Sequence, residues 1–525
     1  MDLVDHWVVG FSGKRHLENP EAVRLALRSV LQELCNTIES ELVAISSAAI
    51  GADLLFATEA TQAGMPWICV LPFPEETFFN ERDFPDEAER SAARKKVREA
   101  ADCEVTRIPR DVDELNDPTW RRGAFAEAGF RCVDEADIVI TVLHDAAEPG
   151  KPGGTRDAVA YARATKRPLV VIDPDTLQVR WENWPTRLHD PLTERLRRLP
   201  SGSLTAGERD KLPTPAAIRV AEWRSGFARA ARKHVPGIRW GTSAVVILHA
   251  LATIITASVF LLLHPVNFDS PNFVRLQLAE GSLIALALEV SAFIFVLTGF
   301  CFLVWLLWRR PQINAANYRL AAEVGRSIIA TWLIPGAASE IIRGLPHGFT
   351  HFARTLLLHQ RLDPDRLRRG TDEIAAEGDV EKLAAAYVDQ RINPQIKYYS
   401  EKYHVSARRA RALEIGSIIV SSIAVVSAGF LAFGHGAEFQ RALWGFAKLA
   451  AATAAPVVVS MLVIHEVKRR EARYHEMRRM LEQYAERINQ VRSISALEDL
   501  VADVERMLLA ECHEWWVLAK ANVAA

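Results

Sequence analysis

The sequence predicts an α/β domain built on a parallel sheet, followed by an all-α membrane region with four transmembrane helices and long cytosolic helices. Three observations predict it. Strand-like runs alternate with helical stretches over the first 185 residues. Four long apolar segments follow between residues 241 and 464. Clusters of Lys and Arg stand at one end of each of those segments.

Taken in order, residues 1–185 contain the runs HWVVGF, LVAISSA, PWICVLPF, ADIVITVL and RPLVVID. Such near-continuous apolar strands, separated by helices, are buried on both faces, as in a parallel sheet. Residues 186–237 carry loop punctuation (LPSGSLTAGERDKLPTPAA) and then a basic amphipathic helix, the pattern of a connector. The first transmembrane pair lies within 238–310. Residues 241–263 carry no formal charge, and about 23 positions suffice to cross a bilayer core. Residues 282–308 hold Glu289 as their one interior charge and end on Trp305 and Trp308, as an interface belt requires. Residues 311–411 form a charged helical region. The second pair, 415–433 and 442–464 within 412–466, is rich in Ala, Gly and Ser, which allow close helix packing, and Pro456 is expected to kink its second member. In 467–525, Met477, Leu481, Tyr484, Ile488 and Val491 recur at helical spacing and predict a sealed bundle or coiled coil. Tyr318 and Tyr474 follow the two pairs at similar distances, which suggests an internal duplication.

The basic clusters orient the spans. Arg229, Arg232, Lys233 and Arg239 precede the first, Arg309 and Arg310 follow the second, Arg408, Arg409 and Arg411 precede the third, and Lys468, Arg469 and Arg470 follow the fourth. The two connecting loops hold only Arg275 and Arg441, so both termini are expected in the cytoplasm of a multi-pass inner-membrane protein. No cleavable signal peptide is expected at the N-terminus, which turns straight into a strand. Six scattered cysteines without a C-x-x-C pair predict buried thiols of a reducing compartment, with no metal site. A net charge of -2 gives no support for direct nucleic-acid binding.

Ligands of a parallel sheet bind beyond the carboxyl ends of the strands, where glycine-rich loops open helices. Three loops qualify. GFSGKR supplies Gly10, Ser12, Gly13, Lys14 and Arg15; SSAAIGADLL supplies Ser46, Ser47, Gly51 and Asp53; PGGTRD supplies Gly153, Gly154, Thr155 and Asp157. Glycines let backbone approach a phosphate, Lys14 and Arg15 offer counter-charge, the serines offer hydroxyl donors, and Asp53 offers a carboxylate for ribose hydroxyls. Asp145, at the end of the fourth apolar run, is a candidate for sugar or base. Each loop singly fits a tight turn as well.

The series GFSGKR, AIGADLLFATEATQAGMPWICVLPFPEETFFNERDF and ADIVITVLHDAAEPGKPGGTRDAVAYARATKRPLVVI resembles the SLOG superfamily, the nucleotide-binding Rossmann-like group that includes LOG-type hydrolases and DprA-like proteins. The resemblance implies that the first loop and the GGT loop bind nucleotide phosphates, through Gly10, Ser12, Gly13, Arg15, Gly153, Gly154 and Thr155. LOG-type hydrolases carry a glutamate in P-G-G-x-G-T-x-x-E. Here the glycine spacing differs, Ala158 holds the glutamate position and Asp157 falls one residue early, about 100° around the helix. Binding is therefore favoured over catalysis. RRPQINAANYRLAAEVGRSIIATW and YVDQRINPQIKYYSEKYHVSARRARALE resemble SLATT proteins, paired-helix membrane modules associated with SLOG systems. The combined resemblance implies a nucleotide second-messenger sensor that gates a pore-forming effector in bacterial antiviral or conflict defence, without a cofactor and as a homo-oligomer.

Two alternatives stand beside it. A membrane-anchored nucleotide hydrolase would need Glu59 or Asp157 as acid or base. A scaffold would use its spans only as anchors. Glu289 is the gate candidate, because intramembrane charges face a bundle interior or an aqueous path. Lys448 is expected to snorkel, His249 to be a packed histidine, Trp515 and Trp516 to close a bundle or lie at the membrane surface, and the FPEETFFNERDF run to cover a ligand or form a solvated helix.

Overall fold

The computed structural model describes residues 4–80, 82–106, 118–144, 153–185, 190–263, 283–309, 311–342, 345, 347–366, 377–433, 438–464 and 467–524. Asp145, Arg310 and the loop carrying Arg275 lie outside them. The chain divides into two compact units. One comprises Met1–Ala228, Leu320–Val380 and Ser493–His513; the other comprises Arg229–Arg319, Glu381–Arg492 and Glu514–Ala525.

In the first unit the strands are β1 (His6–Gly13), β2 (Glu41–Ser46), β3 (Trp67–Leu71), β4 (Asp102–Val105), β5 (Ile138–Val142), β6 (Leu169–Ile172) and β7 (Val179–Glu182). They form one sheet in the order β4-β3-β2-β1-β5-β6-β7, parallel except for the antiparallel edge strand β7. The expected five strands are all present. β4 and β7 are additional, four-residue edges whose sequences, DCEV and VRWE, carry no apolar run. Strand order reverses between β1 and β5, which makes their carboxyl ends the topological switch point of the sheet.

Alternation along the strands builds two faces. Trp7, Val9, Phe11, Ala44, Trp67, Cys69 and Leu71 face α1 (Pro20–Thr37) and α2 (Ala52–Gln62). Asn19 opens α1 by accepting from the Ala22 N–H ahead of Pro20, and Val23, Leu27, Val30, Leu31 and Leu34 form its buried stripe. The short α3 (Glu75–Phe78) and α4 (Glu87–Arg98) follow β3, and Phe78, Phe79 and Phe84 fill the core there, so the phenylalanine run neither lies in solvent nor stands free above a ligand. On the other face Val8, Val43, Ile45, Ile68 and Val70 cluster with Ala128 and Cys132 of α5 (Pro118–Glu135). α6 (Thr155–Ala164) completes that side over β5 and β6.

Leu358 also sits in this second-face cluster, from a segment expected to be a separate cytosolic region. After α7 (Pro191–Arg197) and α8 (Ala206–Arg209), α9 (Pro215–Leu263) runs unbroken through the connector helix and the first apolar segment. α10 (Leu283–Arg309), α11 (Pro311–Ala330), α12 (Pro335–Ile342) and α13 (His347–Arg361) follow. α13 brings a row of cations to the amino ends of the strands. His351 lies between Asp5 (Nε2 to Oδ1 2.9 Å) and Asp137 (Nδ1 to Oδ1 3.1 Å). Arg354 also pairs with Asp137. Arg361 bonds Asp102 (2.6 Å), Glu135 (2.6 Å) and Glu104 (3.2 Å), and Arg131 of α5 joins Glu104 (2.6 Å) and Glu340 (3.0 Å). Burial pushes the His351 imidazole down, but the two carboxylates outweigh it and hold it at about 10. Burial likewise pushes Asp137 up, and Arg354 and His351 outweigh it and hold the carboxyl well below the usual range. For a histidine raised from an unfolded value near 6.5, the stabilisation is complete below that pH and is lost as pH rises through about 10. The His351 ring should therefore show no titration between about pH 6 and 9 when its ring protons are followed by NMR; a midpoint inside that window contradicts the ion triad.

In the second unit α9 and α10 meet at Gly299, which lies against the His249 ring; His249 is otherwise exposed, not the packed histidine expected. His249 Nδ1 also lies 2.7 Å from the Val245 carbonyl. α14 (Glu377–Tyr387) passes through a wide π turn, Val388–Ile392, into α15 (Asn393–Phe433). Pro394 explains the turn. It offers no N–H to Gln390 and its ring crowds that carbonyl, and the Asn393 N–H bonds Val388 instead, one residue further back. α16 (Glu438–Ile464) runs through Pro456, and Trp444 meets Phe430 of α15 with ring centroids 5.1 Å apart. α17 (Val467–Asn489) lies along α15, with Lys468 on Glu414 and Tyr474 beside Tyr399. α18 (Ile494–Ala524) ends the chain; its Trp515 takes Arg470 on its ring face, and Trp516 donates to Asn317 Oδ1 at 2.7 Å, so both close the bundle. Tyr318 packs on His234 of α9, and Tyr474 packs on Tyr399 of α15.

Among the described residues, two helices are long and apolar enough to cross a membrane: Leu286–Trp305 and the run Asp379–Phe430. The expectation was four. Within α9 and α16 the described apolar runs are shorter, Ser243–Val259 and Trp444–Val458. Only 11% and 6% of the two long apolar windows is buried, unlike the core helix of a soluble domain, which is mostly buried. Glu289 is exposed on the first, and Lys448 on α16 is exposed as snorkelling requires. Cys69, Cys132 and Cys512 are buried free thiols; Cys35, Cys103 and Cys301 are exposed, which corrects the expectation that all six are buried.

Candidate functional site

The three glycine-bearing loops meet at Gly13, the last residue of β1. Its N–H donates to Asp53 Oδ1 at 3.0 Å, and its carbonyl accepts from Thr155 Oγ1 at 2.7 Å. Ala52 N–H donates to the Lys14 carbonyl at 3.0 Å, joining the first loop to the start of α2. Thr141 Oγ1 donates to the Ser12 carbonyl at 2.8 Å, joining the first loop to β5. The loops are thus knitted into one surface at the switch point, with Gly154 exposed at the N-cap of α6. First-turn amides and the positive end of the helix dipole favour an anion there.

Several glycines are required by the fold itself. A Cβ on Gly10 would stand 2.6 Å from Ala136 Cβ and 2.8 Å from the Cys132 carbonyl, so Gly10 lets α5 approach β1. Gly51 and Gly153 have φ of +91° and +82° and press against the Arg15 and Arg122 carbonyls respectively. Gly51→Ala should lower stability by about 1–3 kcal/mol through left-handed strain and the collision with Arg15; an unchanged melting temperature contradicts this backbone assignment.

Other predicted site residues have internal partners. Ser46 is fully buried; its hydroxyl accepts from Trp67 Nε1 at 3.0 Å and donates to the Ser47 carbonyl at 2.9 Å, so its hydrogen bonds serve the core. Ser47 is half-buried above it. Asp157 Oδ2 accepts from the Gly153 N–H at 2.6 Å and shapes the GGT turn. Asp53 is buried, and that burial pushes its carboxyl up to about 7 against the opposing pull of the Gly13 N–H and Arg15. Lys14 is half-buried. Arg15 is 43% exposed on its side chain, lies 3.9 Å from Asp83 and stacks over Phe125 at 5.1 Å, which leaves a cation on the rim. Arg121 pairs with the same Asp83 and stacks on Phe73 at 4.6 Å, a cation and aromatic cluster that sequence reading missed. Glu59 lies elsewhere, between α1 and α2, paired with Arg28 (2.8 Å) and Arg24 (3.5 Å).

No metal site was expected, yet His144, Asp173 and Asp175 gather at the ends of β5 and β6, with ligand atoms within 4.8 Å of one another. Asp173 Oδ1 accepts the Asp175 and Thr176 N–H groups, so the cluster is accounted for as a tight turn.

Residues 387–515 match the family described as SMODS and SLOG-associating 2TM effector domain 1. The match begins at the YVDQRINPQ segment and covers α15, α16 and α17, which supports a SLATT-type membrane module in this part of the chain. It does not extend to the strands of the α/β unit, with which it shares Ser493–His513. No curated protein and no solved structure matches the chain.

Proposed function

We propose that this chain is a ligand-gated membrane effector, in which a nucleotide-derived anion binds the SLOG-like α/β unit at the carboxyl ends of β1 and β5 and shifts the SLATT-like membrane helices toward an open, pore-forming state. The observation that carries this reading is the presence, in one chain, of a matched effector module and an anion-compatible loop junction at a switch point. Gly13, Gly154, Thr155, Lys14 and Arg15 are the phosphate-side groups, and Asp53 orders the first loop beneath them. α9, α11, α14 and α18 each carry residues of both units, so a displacement in one has covalent routes to the other.

The bilayer arrangement in this reading has four spans, with α9 and α16 completing two hairpins and both termini in the cytoplasm, where it serves bacterial conflict defence. Exposed Leu286, Phe293, Phe300, Ile418 and Val425 face lipid or other copies, and homo-oligomers bring Glu289 to an aqueous path. A ligand shifts such an equilibrium only by its differential affinity, and a few kcal/mol suffices. Hydrolysis is disfavoured, because Glu59 and Asp157 are both bound elsewhere.

The test is thermal stabilisation of the full chain in nanodiscs by a nucleotide panel. One nucleotide class should stabilise the wild type, and Thr155→Glu, which places a carboxylate in the cradle and removes the bond to Gly13, should abolish the shift. Equal stabilisation of the variant contradicts the site.

A further inference from the structure

α13 has two unlike faces. Toward α9 it is apolar and aromatic: Phe352 meets Phe227 at 5.5 Å, and His359 meets Trp223 at 4.9 Å. Toward the sheet it presents Leu358 and the cations His351, Arg354 and Arg361. Their acceptors sit at the amino ends of strands: Asp5 just before β1, Asp137 just before β5, and Asp102 at the start of β4. The candidate ligand loops leave the opposite ends of β1 and β5. The strands that hold the ligand loops therefore also hold the acids that hold α13. β1 spans roughly 25 Å between them at 3.3 Å per residue.

Charge pairs in a desolvated interface act as a register device. Replaced by apolar contact they often cost nothing, but misaligned they lose strongly, so the interface favours discrete docked and undocked states over sliding. We propose that α13 is a charge-keyed latch, held on the acids at the amino ends of β1, β4 and β5 at rest and released when the loops at the far ends of β1 and β5 are filled. The proposal rests on the reading that the α/β unit gates the membrane helices, and α13 precedes the matched effector segment in the chain.

Hydrogen exchange on the full chain in nanodiscs tests it, comparing α13 amides with those of α1, β1 and β5. His351→Gln, near in size but uncharged, should speed exchange in α13 on the order of tenfold and leave α1, β1 and β5 unchanged. Arg354→Lys, which keeps the charge, should have a much smaller effect. Acceleration of α13, β1 and β5 together overturns the latch, because docking is then ordinary core packing. Should His351→Gln fail to fold, the wild type decides: α13 and β1 opening in one step, with one denaturant dependence, overturns the latch, and separate opening supports it. Dye leakage from liposomes separates the two readings. Freed α13 with a leaking membrane supports both, whereas freed α13 with a tight membrane overturns the gating reading and leaves the latch standing.

Discussion

Residues 1–185 expressed alone will be markedly less stable than the complete α/β unit, although its strands all lie within them. The second face of the sheet, Val8, Val43, Ile45, Ile68 and Val70, shares its cluster with Leu358 and Leu362 from outside that range. Asp5, Asp102 and Asp137 would lose His351, Arg361 and Arg354 at once. With α13 gone these acids meet water, so their pairing is lost without a stranded charge, and the uncovered apolar face of the sheet is the larger penalty against a domain stability of about 5–15 kcal/mol. The expected result is a urea midpoint well below that of the complete unit. A chain that adds residues 190–228 and 320–366 should restore it, and a fragment ending at 185 that is as stable as the longer chain contradicts the shared core.

Arg361→Ala should be the most damaging single substitution of the charged edge. Arg361 is 4% exposed and serves Asp102, Glu104 and Glu135 together, so its loss removes the cation common to three carboxylates and leaves Arg131 beside Glu104 and Glu135 and Arg366 near Asp102 and Glu104. The expected loss is about 3–5 kcal/mol, read from the denaturation midpoint of the α/β unit by tryptophan fluorescence. Arg361→Lys should fall between, since an ammonium keeps the charge but not the fork that meets several carboxylates. Arg198→Ala, at a pair whose arginine is 77% exposed, should change stability by less than about 1 kcal/mol. An Arg361→Ala protein as stable as the Arg198→Ala protein would show that the charged edge is solvated.

Much of this fold was legible because its signals are local. The apolar runs of β1, β2, β3, β5 and β6 and the glycine loops between them stand out from their neighbours, and the Thr155 to Gly13 bond joins two loops singled out from sequence. The edges β4 and β7 were not legible, since four residues leave no period to read. The role of α13 was hidden for a different reason. His351 meets an acid 346 positions away and Arg361 one 259 positions away, and nothing in HFARTLLLHQR distinguishes a basic face that meets buried acids from one that meets water. Ser46 shows the same limit at short range: its hydroxyl looks available until Trp67 is found donating to it.

The central claim is that occupancy of the loop junction at Gly13 and Thr155 controls the membrane helices. The measurement that tests it most directly is dye flux from liposomes containing the full chain, with the stabilising nucleotide added to outward-facing α/β units. Flux should begin only with that nucleotide and should be absent in Thr155→Glu protein inserted to the same level. Flux that is the same with and without nucleotide, or that persists in Thr155→Glu, would contradict control of the membrane helices from this site.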